Sequence, residues 1–372
     1  MKIVFSSNIA WSIYLFRSPL LKELQQNGHE IYCVAKNDKY SKQLTQLGFT
    51  FYPIDINNNS KNPINDLFLV KNYIKVYKKI KPDIILHNAI KPNIYGTIAA
   101  GILKLPSINN ISGLGTLFIK KSLATSIAKF LYKFSQKKAT TVFFQNKYDQ
   151  ELFIKENLVQ ANKTKLIPGS GVNTQIFHPK KNTNSNNKAF EFLFIARLIK
   201  DKGLMEYLEA AKILKNKYKE KIVCSILGPF YQANETAITP EELGVWVKNG
   251  IVNYLGETDE VVQEIAHADS IVLPSYREGL SKVLIEASAM AKPIVTTNVP
   301  GCKDVVLDNY NGFLCQAKNS SDLANKMEKM FLLNKEEINK MGENARKRAL
   351  DIFDERKIIA IYTKEINQII QI

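Results

Sequence analysis

Two carboxylates at a fixed spacing are the most informative feature of this chain. Glu278 and Glu286 stand eight residues apart in Ser275-Tyr276-Arg277-Glu278-Gly279-Leu280-Ser281-Lys282-Val283-Leu284-Ile285-Glu286-Ala287, just after the apolar run Ile271–Leu273. A strand, a short loop and a helix fit that pattern. Gly279 lets a ligand come close to the backbone. The first N–H groups of a helix opening at Ser281, with Leu280 beside them, can take an anion. A carboxylate in such a corner does not serve a phosphate; it suits hydroxyls, as on a ribose or a sugar. The plain alternative is an ordinary strand–loop–helix with a solvated glutamate.

A second segment, Ile195-Ala196-Arg197-Leu198-Ile199-Lys200-Asp201-Lys202-Gly203, ends another apolar run. A guanidinium fork at Arg197 and a point charge at Lys202 suit a diphosphate; an exposed basic loop is the alternative. In a third segment, Pro168-Gly169-Ser170-Gly171-Val172-Asn173, Gly169 and Gly171 suit a tight turn or a phosphate. Gly113-Leu114-Gly115 does not complete G-x-G-x-x-G, because Phe118 holds the third glycine position, and no glycine follows the first strand. A dinucleotide cofactor is therefore disfavoured.

The elements that must hold these residues alternate along the chain. Strand-sized apolar runs such as Lys2–Ser6, Glu30–Ala35, Phe49–Ile54, Ile84–Leu86, Ile108–Ile111 and Thr141–Phe144 are separated by helix-sized segments. These include Ile13 to Gln26, one opened by Pro63, and ones near 93–104 and 122–138. The polar run 182–187 reads as a surface loop. Alternation resumes with Phe190–Ile195, Leu204–Lys217, Ile222–Leu227, Ile251–Tyr254, Ile271–Leu273 and Ile294–Thr296, and the end is helical from Ser320. Continuous apolar strands between helices indicate α/β domains with parallel sheets covered on both faces. The expected architecture is two doubly wound, Rossmann-like domains, 1–170 and 171–352, with a terminal helix, about 353–372, able to pack back on the first. Ligands in such sheets sit beyond the carboxyl ends of the strands, and the cleft between two such domains is the default site.

The 372 residues carry 51 Lys/Arg and 35 Asp/Glu, with 45% hydrophobic residues. Disordered, collagen-like and small disulfide-scaffold classes are excluded. Residues 1–170 hold 24 basic and 9 acidic side chains, the remainder 27 and 26. An anionic partner for the first half follows: membrane surface, phosphate-rich lipid or nucleic acid. The four cysteines are scattered without a C-x-x-C pair, which reads as a reducing, cytosolic compartment and no metal site. The N-terminus lacks a signal-peptide pattern. With no run of 18 apolar residues, any membrane contact would be peripheral.

Taken together, the segments resemble the retaining glycosyltransferases of family 4. Glu278 and Glu286 match their paired glutamates, and Ala196-Arg197-Leu198 through Lys202-Gly203 their donor-phosphate segment. Gly169-Ser170-Gly171-Val172-Asn173 to Phe177 is similar to the hinge pattern, with Asn173 for the usual Asp. Gly301 to Asp304 and Asn311-Gly312-Phe313-Leu314 match later landmarks, with Asp304 for the usual Glu. Lys91-Pro92-Asn93-Ile94-Tyr95-Gly96 and Ser112-Gly113-Leu114-Gly115 resemble a bacterial branch that builds surface glycans on polyprenyl-diphosphate-linked saccharides. One similar group adds N-acetylgalactosamine to lipid-linked diacetylbacillosamine. The resemblance implies the GT-B fold of two facing Rossmann-like domains.

It further implies a nucleotide-sugar donor, expected to be UDP-linked, held by Gly171, Arg197, Lys202, Glu278, Gly279, Leu280, Ser281 and Glu286. Glu278 would meet the sugar hydroxyls and Glu286 the ribose, while Arg197 and Lys202 offset the leaving diphosphate's charge. Asn88, Lys91, Gly113, Gly115, Lys120 and Lys121 are candidates on the acceptor side. His87 stands shifted from the family's histidine position, with Asn88 or Ile90 in its place. The chain has no D-x-D, so neither metal nor cofactor is expected. Lysines among aromatics over 122–138, with Phe130, Leu131, Tyr132 and Phe134, suggest an anionic membrane surface as partner at the cytoplasmic face. Lys71–Lys81 suits that role or a core-packed helix equally. A sugar-nucleotide epimerase of the same fold would need a different carboxylate and histidine pattern. A nucleic-acid-binding protein would need a basic arm, zinc pattern or aromatic RNA-binding signature, none of which occurs.

Overall fold

The computed structural model describes residues 1–56, 63–114, 123–180, 189–232 and 234–371. Gly115, Lys120, Lys121, Ser122 and the polar run 182–187 lie outside them. The chain divides into two compact units, Met1–Ser170 with Glu355–Ile372, and Gly171–Asp354.

The first unit alternates strand and helix as β1 (Lys2–Ile9), α1 (Ala10–Gln26), β2 (Glu30–Lys36), α2 (Ser41–Gln46), β3 (Thr50–Pro53), α3 (Pro63–Ile80) and β4 (Ile84–Asn88). It continues through α4 (Thr97–Ile102), β5 (Ser107–Ile111), α5 (Leu123–Gln136), β6 (Thr141–Phe144), α6 (Lys147–Lys155) and β7 (Thr164–Leu166). The strands form one sheet in the order β3-β2-β1-β4-β5-β6-β7, with every pair parallel. Period-two alternation splits β1: Val4 joins the apolar cluster on one face, Ile3 and Phe5 that on the other. Both faces are thus buried, as continuous apolar strands require.

The second unit contains β8 (Phe190–Ile195), α7 (Leu204–Tyr218), β9 (Ile222–Leu227), α8 (Pro240–Lys248), β10 (Asn253–Tyr254), α9 (Val261–His267) and β11 (Ser270–Leu273). Then follow α10 (Lys282–Ala289), β12 (Ile294–Thr297), β13 (Gly312–Cys315), α11 (Ser320–Phe331) and α12 (Lys335–Arg348). Its sheet runs β10-β9-β8-β11-β12-β13, again all parallel. The last helix, α13 (Glu355–Ile370), returns to the first unit. Its Ile358, Tyr362 and Ile366, four residues apart, bury one stripe against Phe143 and Leu21. All four cysteines are buried and free.

Several element boundaries differ from the sequence expectation. β1 runs on to Ile9 through an irregularity between Ser6 and Ile9. The expected strand 251–254 shortens to two residues. β7 and β13 have no sequence forecast: Thr-Lys-Leu at a half-exposed edge shows no apolar run, and β13 opens on turn residues. The helix near 93–104 begins as a π-turn over Pro92–Gly96. At Gly96 a Cβ would lie 2.6 Å from Nε2 of His87, so the wide turn passes directly over that ring.

Candidate active site

In each sheet the strand order reverses once, between β1 and β4 and between β8 and β11. Such reversals open a crevice at the carboxyl ends of the strands. In the second unit, the two loops flanking the crevice carry the residues singled out in the sequence: Ala196–Gly203 after β8, and Pro274–Ser281 after β11.

The two loops are joined by main-chain contacts. Tyr276 N donates to the Asp201 carbonyl at 2.9 Å, and Ser275 Oγ donates to the same oxygen at 3.3 Å. Gly203 has φ +75°, and a Cβ there would stand 2.0 Å from the Pro274 carbonyl; only glycine permits this approach. A third loop, after β12, supports the second. Glu278 N donates to the Pro300 carbonyl, while Gly301, φ +80°, packs where a Cβ would meet the Glu278 main chain at 2.5 Å. Asp304 fixes that turn by accepting the Gly301 N–H at 2.7 Å. The shorter carboxylate at 304 therefore has a structural task. Asn173 likewise accepts two N–H groups, from Gln175 and Ile176, each at 3.0 Å, which an Asp would do equally well.

On this frame Lys202 and Glu278 form an ion pair, with side chains only 19% and 13% exposed. Arg197 is exposed and lies over the Tyr231 ring, 4.8 Å from its centre. The two cations expected to act together thus have different partners in the free protein. Glu286 is 9% exposed; burial raises its carboxyl above the usual range, and the Lys282 ammonium pulls it back. Lys282 Nζ stands 3.7 Å from Glu286 Oε1 and donates to the Gly171 carbonyl at 2.6 Å. Gly171, φ +75°, thus meets this group through its carbonyl. Gly279 is buried and Leu280 half-buried beside them.

In the free protein the Ser281 N–H donates to the Gly301 carbonyl at 3.2 Å, so the start of the helix is tied to the loop after β12. The Ser281 hydroxyl does not cap α10. Tyr231 and Lys282 escaped the sequence reading. Tyr231 lies just past β9, at the carboxyl end of a strand beside β8, a position that topology alone makes informative.

The first unit's crevice is different. His87 is fully buried, with Nδ1 2.9 Å from Asn109 Oδ1 and Nε2 2.9 Å from Tyr77 OH. A carbonyl oxygen only accepts, so Nδ1 carries the proton and Nε2 accepts from Tyr77. Burial lowers the His87 pKa to about 4, against an upward pull from Asn109. Thr97 and Gln136 also bond Asn109. His87 is thus a neutral core residue. Asn88 is buried too, its Oδ1 accepting from Asn110 Nδ2 at 3.2 Å. Lys91 lies over Tyr95, 5.9 Å from the ring centre, and Gly113 follows β5 with φ +124°.

The expected membrane face on α5 also changes. Tyr132 is fully buried, packed edge-on to Phe153, and Leu131 packs against the core. Lys129 is held by Glu156 at 2.6 Å. The outward face consists of Ile127, Phe130, Lys133 and Phe134, with Lys137 and Lys138 exposed just past the helix end, and Phe130 is 70% exposed. A run of lysines and aromatics cannot show which are inward; helical phase does. Among the described residues, no helix is long and apolar enough to cross a membrane.

Comparison with known proteins decides the family. The family described as "Glycosyl transferases group 1" matches residues 176–348, and "Glycosyl transferase 4-like" matches residues 2–146. A Campylobacter jejuni N,N'-diacetylbacillosaminyl-diphospho-undecaprenol alpha-1,3-N-acetylgalactosaminyltransferase is 30% identical, with 100% of each chain covered. The chain belongs to this glycosyltransferase family. An Escherichia coli UDP-Gal:alpha-D-GlcNAc-diphosphoundecaprenol alpha-1,3-galactosyltransferase is 25% identical over 78% of this chain and 76% of its own. Among solved structures, Anabaena HepE in complex with UDP and glucose gives a TM-score of 0.82 at 19% identity, covering 99% of each chain. That likeness concerns the fold, which is GT-B. The glycosyltransferase reading leaves the epimerase and nucleic-acid alternatives without support.

Proposed function

We propose that this glycosyltransferase moves a sugar, of the N-acetylhexosamine class, from a UDP-linked donor to a polyprenyl-diphosphate-linked saccharide, with retention at the anomeric carbon. The product would enter a surface polysaccharide or glycoprotein glycan at the inner face of the cell membrane. The observation that carries the reading is the placement of Glu278 and Glu286, each beside its own lysine, at the strand-order reversal of the second unit. The relatives whose printed names specify diphospho-undecaprenol saccharides support the acceptor class.

In this reading Glu286 accepts hydrogen bonds from the ribose, and Glu278 from the sugar hydroxyls. Lys202 leaves Glu278 for the diphosphate when the donor enters, and Arg197 joins it. The bond between the anomeric carbon and the phosphate oxygen breaks, its electron pair leaving with UDP. The ring gains positive charge as the acceptor hydroxyl attacks the same face, and the acceptor proton passes to the departing phosphate. Stabilising the charge that develops on the leaving group is the greatest help these side chains can give the reaction. Lys202 and Arg197 provide it in place of a metal. The acceptor's lipid tail stays in the bilayer, because exposing it to water is costly. The basic first unit meets the anionic surface through α5, with Phe130 and Phe134 entering the interface and Lys133, Lys137 and Lys138 near the headgroups.

The test is a panel of UDP-, GDP- and other nucleotide sugars with a polyprenyl-diphosphate-linked saccharide, with and without a chelator. Transfer from a UDP-sugar giving an alpha-linked product, unchanged by the chelator, is expected. A beta-linked product would overturn retention, and activity restored by Mg²⁺ or Mn²⁺ would overturn metal independence.

A further inference from the structure

We propose that Lys282 is a positioning residue for the nucleotide: anchored on the Gly171 carbonyl, it holds the buried Glu286 carboxylate where that group accepts the ribose hydroxyls. The inference rests on the assignment of Glu286 to the nucleotide.

Lys282 is the first residue of α10 and Glu286 lies four residues on, so the two share one helix face. Helix stability does not explain the pair. A cation at a helix N-terminus opposes the macrodipole, and Lys placed N-terminal to Glu is the weaker of the two orders. Something other than the helix must hold this ammonium, and the 2.6 Å bond to the Gly171 carbonyl does so. Gly171 opens the second unit with left-handed backbone. The following segment is tied to the same helix from its other end, where Arg346 donates to the carbonyls of Thr174, Phe177 and Ala289. Arg346 is thereby committed to carbonyls, and Asp354 accepts the Thr174 hydroxyl. A carboxylate as buried as Glu286 is costly without a nearby cation, and Lys282 stands within 4 Å of it. That Glu286 is pulled below its desolvated range by Lys282 agrees with this geometry.

The experiment is a double-mutant cycle read by calorimetric titration with UDP. Lys282→Met should weaken UDP binding about tenfold, equivalent to about 1.4 kcal/mol, with kcat at saturating donor changed much less. Lys282→Arg should restore most of the affinity. In a Glu286→Gln background, Lys282→Met should cost less than about twofold, because its effect passes through the carboxylate. An equal loss in both backgrounds, or no loss in the single variant, would overturn the inference while leaving Glu286 on the nucleotide. Should Lys282→Met fail to fold, Lys282→Gln, which keeps a donor for Gly171, carries the same comparison. A parent protein that binds no UDP would overturn the functional reading itself.

Discussion

Both units place a strand-order reversal at the centre of a parallel sheet, and they furnish it in opposite ways. In the second unit the reversal is lined by ionised groups in pairs, Lys202 with Glu278 and Lys282 with Glu286. In the first it is lined by neutral polar groups, His87, Asn109, Thr97 and Tyr77, bonded to one another and buried. Net charge runs the other way. The first unit holds 27 basic and 11 acidic side chains, the second 24 of each. Overall charge and the local pairing of charges are therefore distributed independently in the two units. Basic side chains in the first unit line the exposed faces of α3 and α5, outside the buried network. In the second unit, a balanced total conceals carboxylates and ammonium groups concentrated at one crevice.

Removing the second unit's cations challenges this contrast most strongly. Arg197→Ala or Lys202→Ala should lower kcat/KM by about 10²–10³-fold, as loss of a charge-stabilising donor does elsewhere, with circular dichroism unchanged. Wild-type kinetics in either folded variant would take that residue out of the mechanism. In the first unit the matching variable is pH. His87 binds its proton near pH 4 when folded and near 6.5 when unfolded, so the unfolded chain takes up the proton first as pH falls. Its contribution is complete above 6.5 and is lost between 6.5 and 4, amounting to about 3 kcal/mol. Denaturant melts across that window should show the decline, and His87→Gln should flatten it.

The glutamates separate next. Glu286→Gln should weaken UDP binding by about 1.5–3 kcal/mol, the value of a hydrogen bond to a charged group. Glu278→Gln should slow transfer yet hold or raise affinity for bare UDP, since Lys202 is released for the diphosphate. Calorimetry giving the reverse pattern would exchange the two assignments. The smallest effects belong to α5. Lys133, Lys137 and Lys138 replaced by Ser should each reduce binding to anionic vesicles by about 1 kcal/mol. Lys129→Ser should matter least, because Glu156 already holds that ammonium. Equal sedimentation of the triple variant and the parent would remove this face from the membrane.

Much of this is readable in the order of residues alone. Continuous apolar strands separated by helical segments fix an α/β parallel-sheet class, because only a sheet covered on both faces tolerates them. The Glu278–Glu286 spacing and its setting after an apolar strand are legible because a loop and one helical turn are local structures. A local signal also marks α8: Thr239 and Glu242 complete a capping box, which strand-and-helix alternation alone passes over. What depends on tertiary structure is the choice of partners. His87 and Asn109 are 22 residues apart, and parallel pairing of β4 with β5 brings them together in register. Lys202 meets Glu278 across 76 residues because β8 and β11 are neighbours in the sheet. Ser281 donates its N–H to Gly301, and Tyr132 turns inward while Phe130 turns outward. Residue type and local periodicity are written along the chain; strand order and helical phase against a core arise only when distant segments compete for the same burial.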